Sequence, residues 1–161
     1  MKSTPDRGNG PRQRRGRFAG IGALAFAAAV AAFAAASALA DMPNRALTPG
    51  EIAQRDAGAV CRAGNARRHR AVPYRIRDRV YLEYGVARGH RQGRYKIDHL
   101  IPLELGGSNG MRNLWPQPTV DAALKDQVES ELHAAVCNGG MPLERAQRAI
   151  ARDWHTAVRL P

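Results

Sequence analysis

The sequence predicts an α+β domain in which a β-hairpin leads directly into a helix and further helices surround this unit. Three observations support this fold class. Two short apolar stretches flank a turn rich in Gly and Asn, which is typical of a hairpin. Apolar residues then recur at helical spacing, both after the hairpin and near the C-terminal end. The length of 161 residues fits one ordinary domain.

Residues 1–40 have the features of a cleaved export signal. Arginines precede an Ala-rich apolar stretch at residues 18–36, and Ala38-Leu39-Ala40 supplies the small residues of a cleavage site. An uncleaved membrane anchor is the alternative, since the stretch approaches the ~20 residues that cross a bilayer, but alanine is weakly hydrophobic. We therefore predict a periplasmic or secreted protein that begins at Asp41 and keeps no stable membrane span after cleavage.

The next elements follow from composition and spacing. Residues 41–72 are rich in Pro, Gly and Arg, which predicts a loosely structured basic arm with a short helix near residues 51–60. The folded domain is predicted at residues 73–161. It begins with a helix of about three turns, because Pro73 fits the first helical position and Gly85 fits the end.

The predicted hairpin has a strand at residues 95–102 and a return strand at residues 113–115, stopped by Pro116 and Pro118, which cannot donate to a ladder. The strand–strand–helix unit spans about residues 95–137, and a last helix covers about residues 142–158. The two helices are predicted to turn apolar faces inward: Leu124, Val128, Leu132 and Val136 in the first, and Leu143, Ala146, Ile150 and Trp154 in the second.

Positive charge is concentrated in the first half of the predicted mature chain. The whole chain has 25 Lys and Arg against 14 Asp and Glu, and residues 41–96 alone have thirteen basic residues against five acidic ones. This distribution is typical of proteins that bind nucleic acid, whereas a compositional bias with solvated charges is the alternative. The candidates for phosphate contacts are Arg67, Arg68, Arg70, Arg75, Arg77, Arg79, Arg91 and Arg94.

Cys61 and Cys137 both follow the predicted signal. Disulfides persist in exported proteins, and neither cysteine has a C-x-x-C partner, so we predict a disulfide rather than two soft metal ligands. A loop of this span stabilises the folded state by roughly 4 kcal/mol in the chain-entropy model.

The hairpin and helix carry a set of polar residues with a recognisable order. In sequence these are Asp98-His99, Pro102, Gly106-Gly107, Asn113-Leu114 and Asp121. The combination resembles the HNH, or His-Me finger, endonucleases, in particular exported bacterial members. Further shared blocks extend the resemblance over residues 59–155: Leu114 to Pro118, Lys125-Asp126 with Glu129, Leu132-His133, Val136-Cys137, Ala146-Gln147 and Asp153-Trp154. The resemblance implies a ββα-metal unit and hydrolysis of phosphodiester bonds in DNA or RNA.

The resemblance also implies roles for single residues. His99 would be the general base, and its ordinary pKa of ~6.5 leaves much of the imidazole neutral near pH 7. Asn113 would hydrogen-bond the loop backbone and hold His99 in register. Asp98 would bind a divalent metal, which requires the strand to bend after it, because neighbouring side chains of a strand point to opposite faces.

A second metal ligand is expected on the helix. Asp121 stands at the helix start, where a plain N-cap is its alternative role. His133 is the alternative ligand, since it lies four residues after Glu129 on one helical face. Oxygen ligands favour Mg²⁺ or Mn²⁺, and a histidine ligand would allow Zn²⁺.

Two other functions remain open at this stage. One is a non-catalytic exported module that binds nucleic acid or anionic envelope polymers on the same scaffold. The other is a domain that binds a protein partner, such as an inhibitor, which the sequence does not identify. Fold alone does not establish activity, so the enzyme hypothesis depends on the site residues.

Overall fold

The protein is described by a computed structural model over residues 42–66 and 71–159. The predicted export signal at residues 1–40, its end at Asp41, and Arg67, Arg68 and Arg70 lie outside these ranges. The described elements are α1 (Ala57–Val60), α2 (Tyr74–Glu83), β1 (Tyr95–His99), β2 (Leu114–Pro118), α3 (Ala122–Cys137) and α4 (Leu143–Arg152). This mixture of helices and a small sheet confirms the α+β class. Within the described ranges, no helix has the length and apolar character needed to cross a membrane.

The sheet consists, in the described part of the chain, of β1 and β2 paired antiparallel. The register places Asp98 opposite Trp115 and His99 opposite Leu114. β1 ends at His99, three residues before the predicted end, because the chain bends at the next two residues. The register therefore brings the Asp-His pair to the last two positions of β1.

Pro116 and Pro118 belong to β2, so the prediction that they stop this strand is wrong. The Leu100 N–H donates to the Asn113 carbonyl at 2.8 Å, just beyond the strand ends. In an antiparallel ladder, hydrogen-bonded and non-hydrogen-bonded residue pairs alternate. Counted from this hydrogen bond, the two pairs that contain the prolines are non-hydrogen-bonded, so neither proline needs to donate an N–H to β1. The ladder therefore loses no hydrogen bond at either proline.

α3 presents one buried face to the core. Val128, Leu132 and Val136 are buried as predicted, but Leu124 is 55% exposed, which contradicts its predicted inward orientation. Lys125 takes the buried position at that turn, with 0% exposure. The helix therefore turns a cation toward β1 where an apolar side chain was expected.

α4 covers Leu143–Arg152 and ends well before residue 158, because Asp153 adopts an extended backbone with φ −165° and ψ 103°. The four residues predicted to face inward are buried: Leu143, Ala146, Ile150 and Trp154. Trp154 reaches the core from the segment after the helix. Hydrophobic burial was therefore predicted better than the helix boundary.

The segment at residues 42–66 packs against the hairpin, contrary to the loosely structured arm predicted from its composition. Thr48 is fully buried and its Oγ1 donates to the Leu114 carbonyl at 2.8 Å. Ile52 forms an isolated bridge with Gly107. The helix predicted near residues 51–60 is reduced to the single turn of α1, which the Asp56 carboxylate caps.

Cys61 and Cys137 form the predicted disulfide, with their Cα atoms 5.5 Å apart. Cys61 follows α1 directly and Cys137 is the last residue of α3. The bond therefore fastens the N-terminal segment to the end of the helix that follows the hairpin.

Candidate active site

The end of β1 brings Asp98 and His99 to one cavity of about 660 Å³. Glu104, from the loop after β1, lines the same cavity. Asp126 and Glu129 reach it from α3. Among the described residues, the cavity thus combines one imidazole with four carboxyl groups from three parts of the chain.

Asn113 fixes the loop that connects the two strands. Its side chain is fully buried, its Oδ1 accepts from the Ile101 N–H at 2.9 Å, and its Nδ2 donates to the carbonyls of Ile101 and Ser108 at 2.8 and 2.9 Å. A Cβ at Gly107 would overlap the Ile101 carbonyl, so only glycine fits this close approach. The backbone that follows His99 is therefore held in one conformation.

His99 is oriented by Asn109, whose Oδ1 lies 2.8 Å from the imidazole Nε2. An amide oxygen accepts, so Nε2 carries the proton, and Nδ1 is the acceptor of the neutral ring. Burial lowers the pKa of His99 below its ordinary 6.5, although Asn109 and the charge of Asp98 act to raise it. The imidazole is thus neutral at pH 7 and able to accept a proton at Nδ1.

Lys125 supplies a buried ammonium beside the cavity. Its Nζ donates to Asp98 Oδ2 at 2.8 Å and to the backbone carbonyl of His99 at 2.7 Å, and it also donates to the Glu129 carboxylate. These bonds use its three donors. Burial acts to lower the pKa of Lys125, but the charges of Glu129 and Asp98 outweigh it and raise that pKa above 10.5. Lys125 therefore stays charged and links β1 to α3.

Glu129 lines the cavity and titrates near neutrality. Burial raises its pKa to about 7, and the charge of Asp98 adds to the rise, while Lys125 opposes it. The Lys125 ammonium opposes this rise but does not cancel it, because the effect of burial is larger. The charge state of the site therefore changes around pH 7.

The two predicted helix ligands lie away from this cavity. Asp121 is the N-cap residue of α3 but makes no side-chain capping bond, and its Oδ2 is buried without a hydrogen-bond partner in the described part of the chain. His133 lies next to the disulfide, where its ligand nitrogen and the sulfurs of Cys61 and Cys137 are all within 4.8 Å of one another. This Cys-His-Cys group has the donor atoms to hold a metal ion.

The described arginines of the predicted nucleic-acid interface fall into two groups. Arg77 lines the cavity, and three others are exposed: Arg75, Arg79 and Arg94. Arg91 differs, because its side chain is 13% exposed, pairs with Asp78 and lies over the Tyr81 ring, 4.6 Å from its centroid. Its guanidinium is committed to holding α2 and is poorly placed to meet phosphate.

Sequence reasoning missed the roles of Asn109 and Lys125 and the place of Glu129 at the cavity. The spacing of Lys125 and Glu129 was a usable signal, since residues four apart share a helical face and charged residues on an otherwise apolar face are rarely buried unless paired. Asn109 gave no such signal, because asparagine in a Gly-rich segment is typical of a turn.

Comparison with known proteins found no relative of this chain: no family model, no curated protein and no solved structure matches it.

Proposed function

We propose that the protein is an exported, metal-dependent nuclease that hydrolyses phosphodiester bonds of DNA or RNA at the Asp98–His99 cavity. The observation that carries the proposal is one neutral imidazole, His99, on the same cavity as several carboxylates. A phosphodiester is anionic and resists a nucleophile, so its hydrolysis needs a base for water and a cation for the developing charge. The cavity contains residues suited to both tasks.

The carboxylates fit a hard divalent cation. Asp98 and Glu129 each give one oxygen to Lys125 and keep a second oxygen outside that bond. We assign Asp98 and Glu129 to hold the cation, and Asp121 is a weaker candidate because it does not line the cavity. Oxygen donors favour Mg²⁺ or Mn²⁺. When bound, the cation supplies Lewis-acid stabilisation of charge on the phosphate.

The protein's own residues supply the remaining chemistry. His99 accepts the proton of the attacking water at Nδ1, while Asn109 holds the ring through Nε2. Lys125 positions both site residues, since it binds the Asp98 carboxylate and the His99 carbonyl. Arg77 lines the cavity as a cation for the substrate phosphates.

Paired substitutions at the two β1 residues test the proposal. His99→Ala should leave Mg²⁺ or Mn²⁺ binding unchanged and lower hydrolysis by about 10²–10⁴-fold, as expected for a lost general base. Asp98→Asn, which keeps an oxygen for Lys125, should weaken metal binding together with hydrolysis. Both are measured on plasmid DNA and on RNA, with and without chelator, alongside metal titration.

His155→Ala is the matched control, because His155 stacks on Trp154 rather than lining the cavity. It should cut at the parental rate. A His99→Ala protein that also cuts at that rate would refute the mechanism. Salt-sensitive binding of nucleic acid by a parental protein without chelator-sensitive hydrolysis would instead support the non-catalytic binding module.

A further inference from the structure

A second group of ligating side chains lies at the C-terminal end of α3, around the disulfide. His133 Nε2 is 3.4 Å from Cys137 Sγ, and Cys61 approaches from the end of α1. Within the described ranges this is the single group of three or more His, Cys, Asp or Glu residues whose ligand atoms all lie within 4.8 Å. A cavity of about 360 Å³, lined partly by His133 and Glu104, adjoins it.

We propose that reduction of the disulfide converts this group into a binding site for one Zn²⁺ ion. In the oxidised protein the two sulfurs are bonded to each other and offer no thiolate. A dithiol reductant gives two electrons and two protons, so the S–S bond breaks, two thiols form, and the dithiol closes to its own cyclic disulfide. Zn²⁺ then displaces both thiol protons to solvent and binds two thiolates and the neutral imidazole.

The local geometry suits this exchange. His133 and Cys137 are four residues apart on α3, the spacing by which one helical face presents two ligands to one metal. The Cα atoms of Cys61 and Cys137 are already 5.5 Å apart, so little backbone movement is needed. Cys137 is exposed while Cys61 and His133 are half-buried, which gives an ion access from solvent.

The donors also separate this site from the nuclease site. Two thiolates and an imidazole favour zinc, whereas the carboxylates around Asp98 favour Mg²⁺ or Mn²⁺. A bound Zn²⁺ would replace the covalent link between α1 and α3 by a coordinate one. The metal and the disulfide are therefore mutually exclusive, and the compartment's redox poise decides which of them is present.

Cobalt and zinc titrations of the full chain test the proposal. The protein is titrated with Co²⁺ in its oxidised form and, after anaerobic removal of a dithiol, in its reduced form. We expect thiolate-to-cobalt charge-transfer absorption that saturates at one equivalent in the reduced protein only, and its loss when Zn²⁺ is added. Oxygen ligands at the nuclease site do not produce this absorption, so the readout is independent of hydrolysis.

His133→Ala should weaken Zn²⁺ binding by at least the roughly 10–100-fold known for lost outer-shell partners, while His155→Ala should bind like the parent. A reduced protein without thiolate–cobalt absorption overturns the proposal. So does equal affinity of the two histidine variants, which is the result expected of an unfolded chain that binds metal through its cysteines alone.

Discussion

Replacing Lys125 with methionine tests whether its ammonium holds β1 and α3 together. Lys125→Met keeps an unbranched side chain of similar length and removes the charge that binds Asp98 and Glu129. Removing one partner from a buried ion pair costs about 3–5 kcal/mol, because the other charge stays buried without compensation. A domain has about 5–15 kcal/mol of stability in total, so the variant should still fold but unfold at lower denaturant.

The loss of stability should depend on pH through Glu129. The pKa of Glu129 rises from 4.5 to about 7 on folding. Glu129 therefore stabilises the folded state fully below about pH 4.5, and this stabilisation is lost as the pH rises through 7. At about 1.4 kcal/mol for each pKa unit, this rise corresponds to about 3 kcal/mol. Lys125 holds this pKa down, so its removal raises the pKa further. Parent and variant differ in the ionisation of Glu129 only above the parental pKa, so the deficit of Lys125→Met should grow as the pH rises above about 7.

Urea unfolding followed by circular dichroism at several pH values measures this deficit. Lys96→Met is the matched control, since Lys96 also contacts Asp98 but from a side chain that is 35% exposed, and surface pairs contribute about 0–1 kcal/mol. The double variant Lys125→Met, Glu129→Gln should regain stability at pH 8. Equal losses in the two lysine variants, or a deficit that does not change with pH, would contradict the reasoning.

Two further predictions concern the loop after β1 and the α2 region. Gly107→Ala should lower the free energy of unfolding by about 1–3 kcal/mol or more, because its Cβ would overlap the Ile101 carbonyl, whereas Gly89→Ala meets open space and should change little. Thermal melts compare them, and equal midpoints would refute the steric argument. Asp78→Asn should reduce stability at pH 7, because Arg91 holds the pKa of Asp78 below 3.8. The stabilisation by this ion pair is present above pH 3.8 and is lost as the pH falls through the folded-state pKa. The urea midpoints of variant and parent should therefore converge in acid. A constant difference between the midpoints would exclude this ion pair as the cause.

The predictions that held depend on local patterns. Helix α2 follows from its apolar spacing with proline before and glycine after, and the buried residues of α4 follow from a 3.6-residue period. The strand ends could not be predicted in this way. Whether Pro116 disrupts β2 depends on which pairs are hydrogen-bonded, and that is set by register with residues about twenty positions earlier.

The candidate site was predictable where residues carry a motif and unpredictable where they depend on partners from other elements. Asp98 and His99 stand out as neighbours in a recognisable pattern. A lysine in a helix is ordinarily a surface residue, and Lys125 is buried because a carboxylate from β1 and another from its own helix face it. The meeting with Asp98 is a property of the tertiary fold, and the sequence shows only the four-residue spacing of Lys125 and Glu129.

The two prolines of β2 also limit what this sheet can bind. Residues 114, 116 and 118 direct their backbone groups away from β1. Pro116 and Pro118 have no N–H. The Leu114 N–H donates to the Met111 carbonyl, and the Leu114 carbonyl accepts from Thr48. An incoming strand would find no free donor along that edge. A short sheet usually risks growth by edge-to-edge association, and here the edge offers no donor and residues 114–117 are also buried. Aggregation through strand addition to β2 is thereby disfavoured.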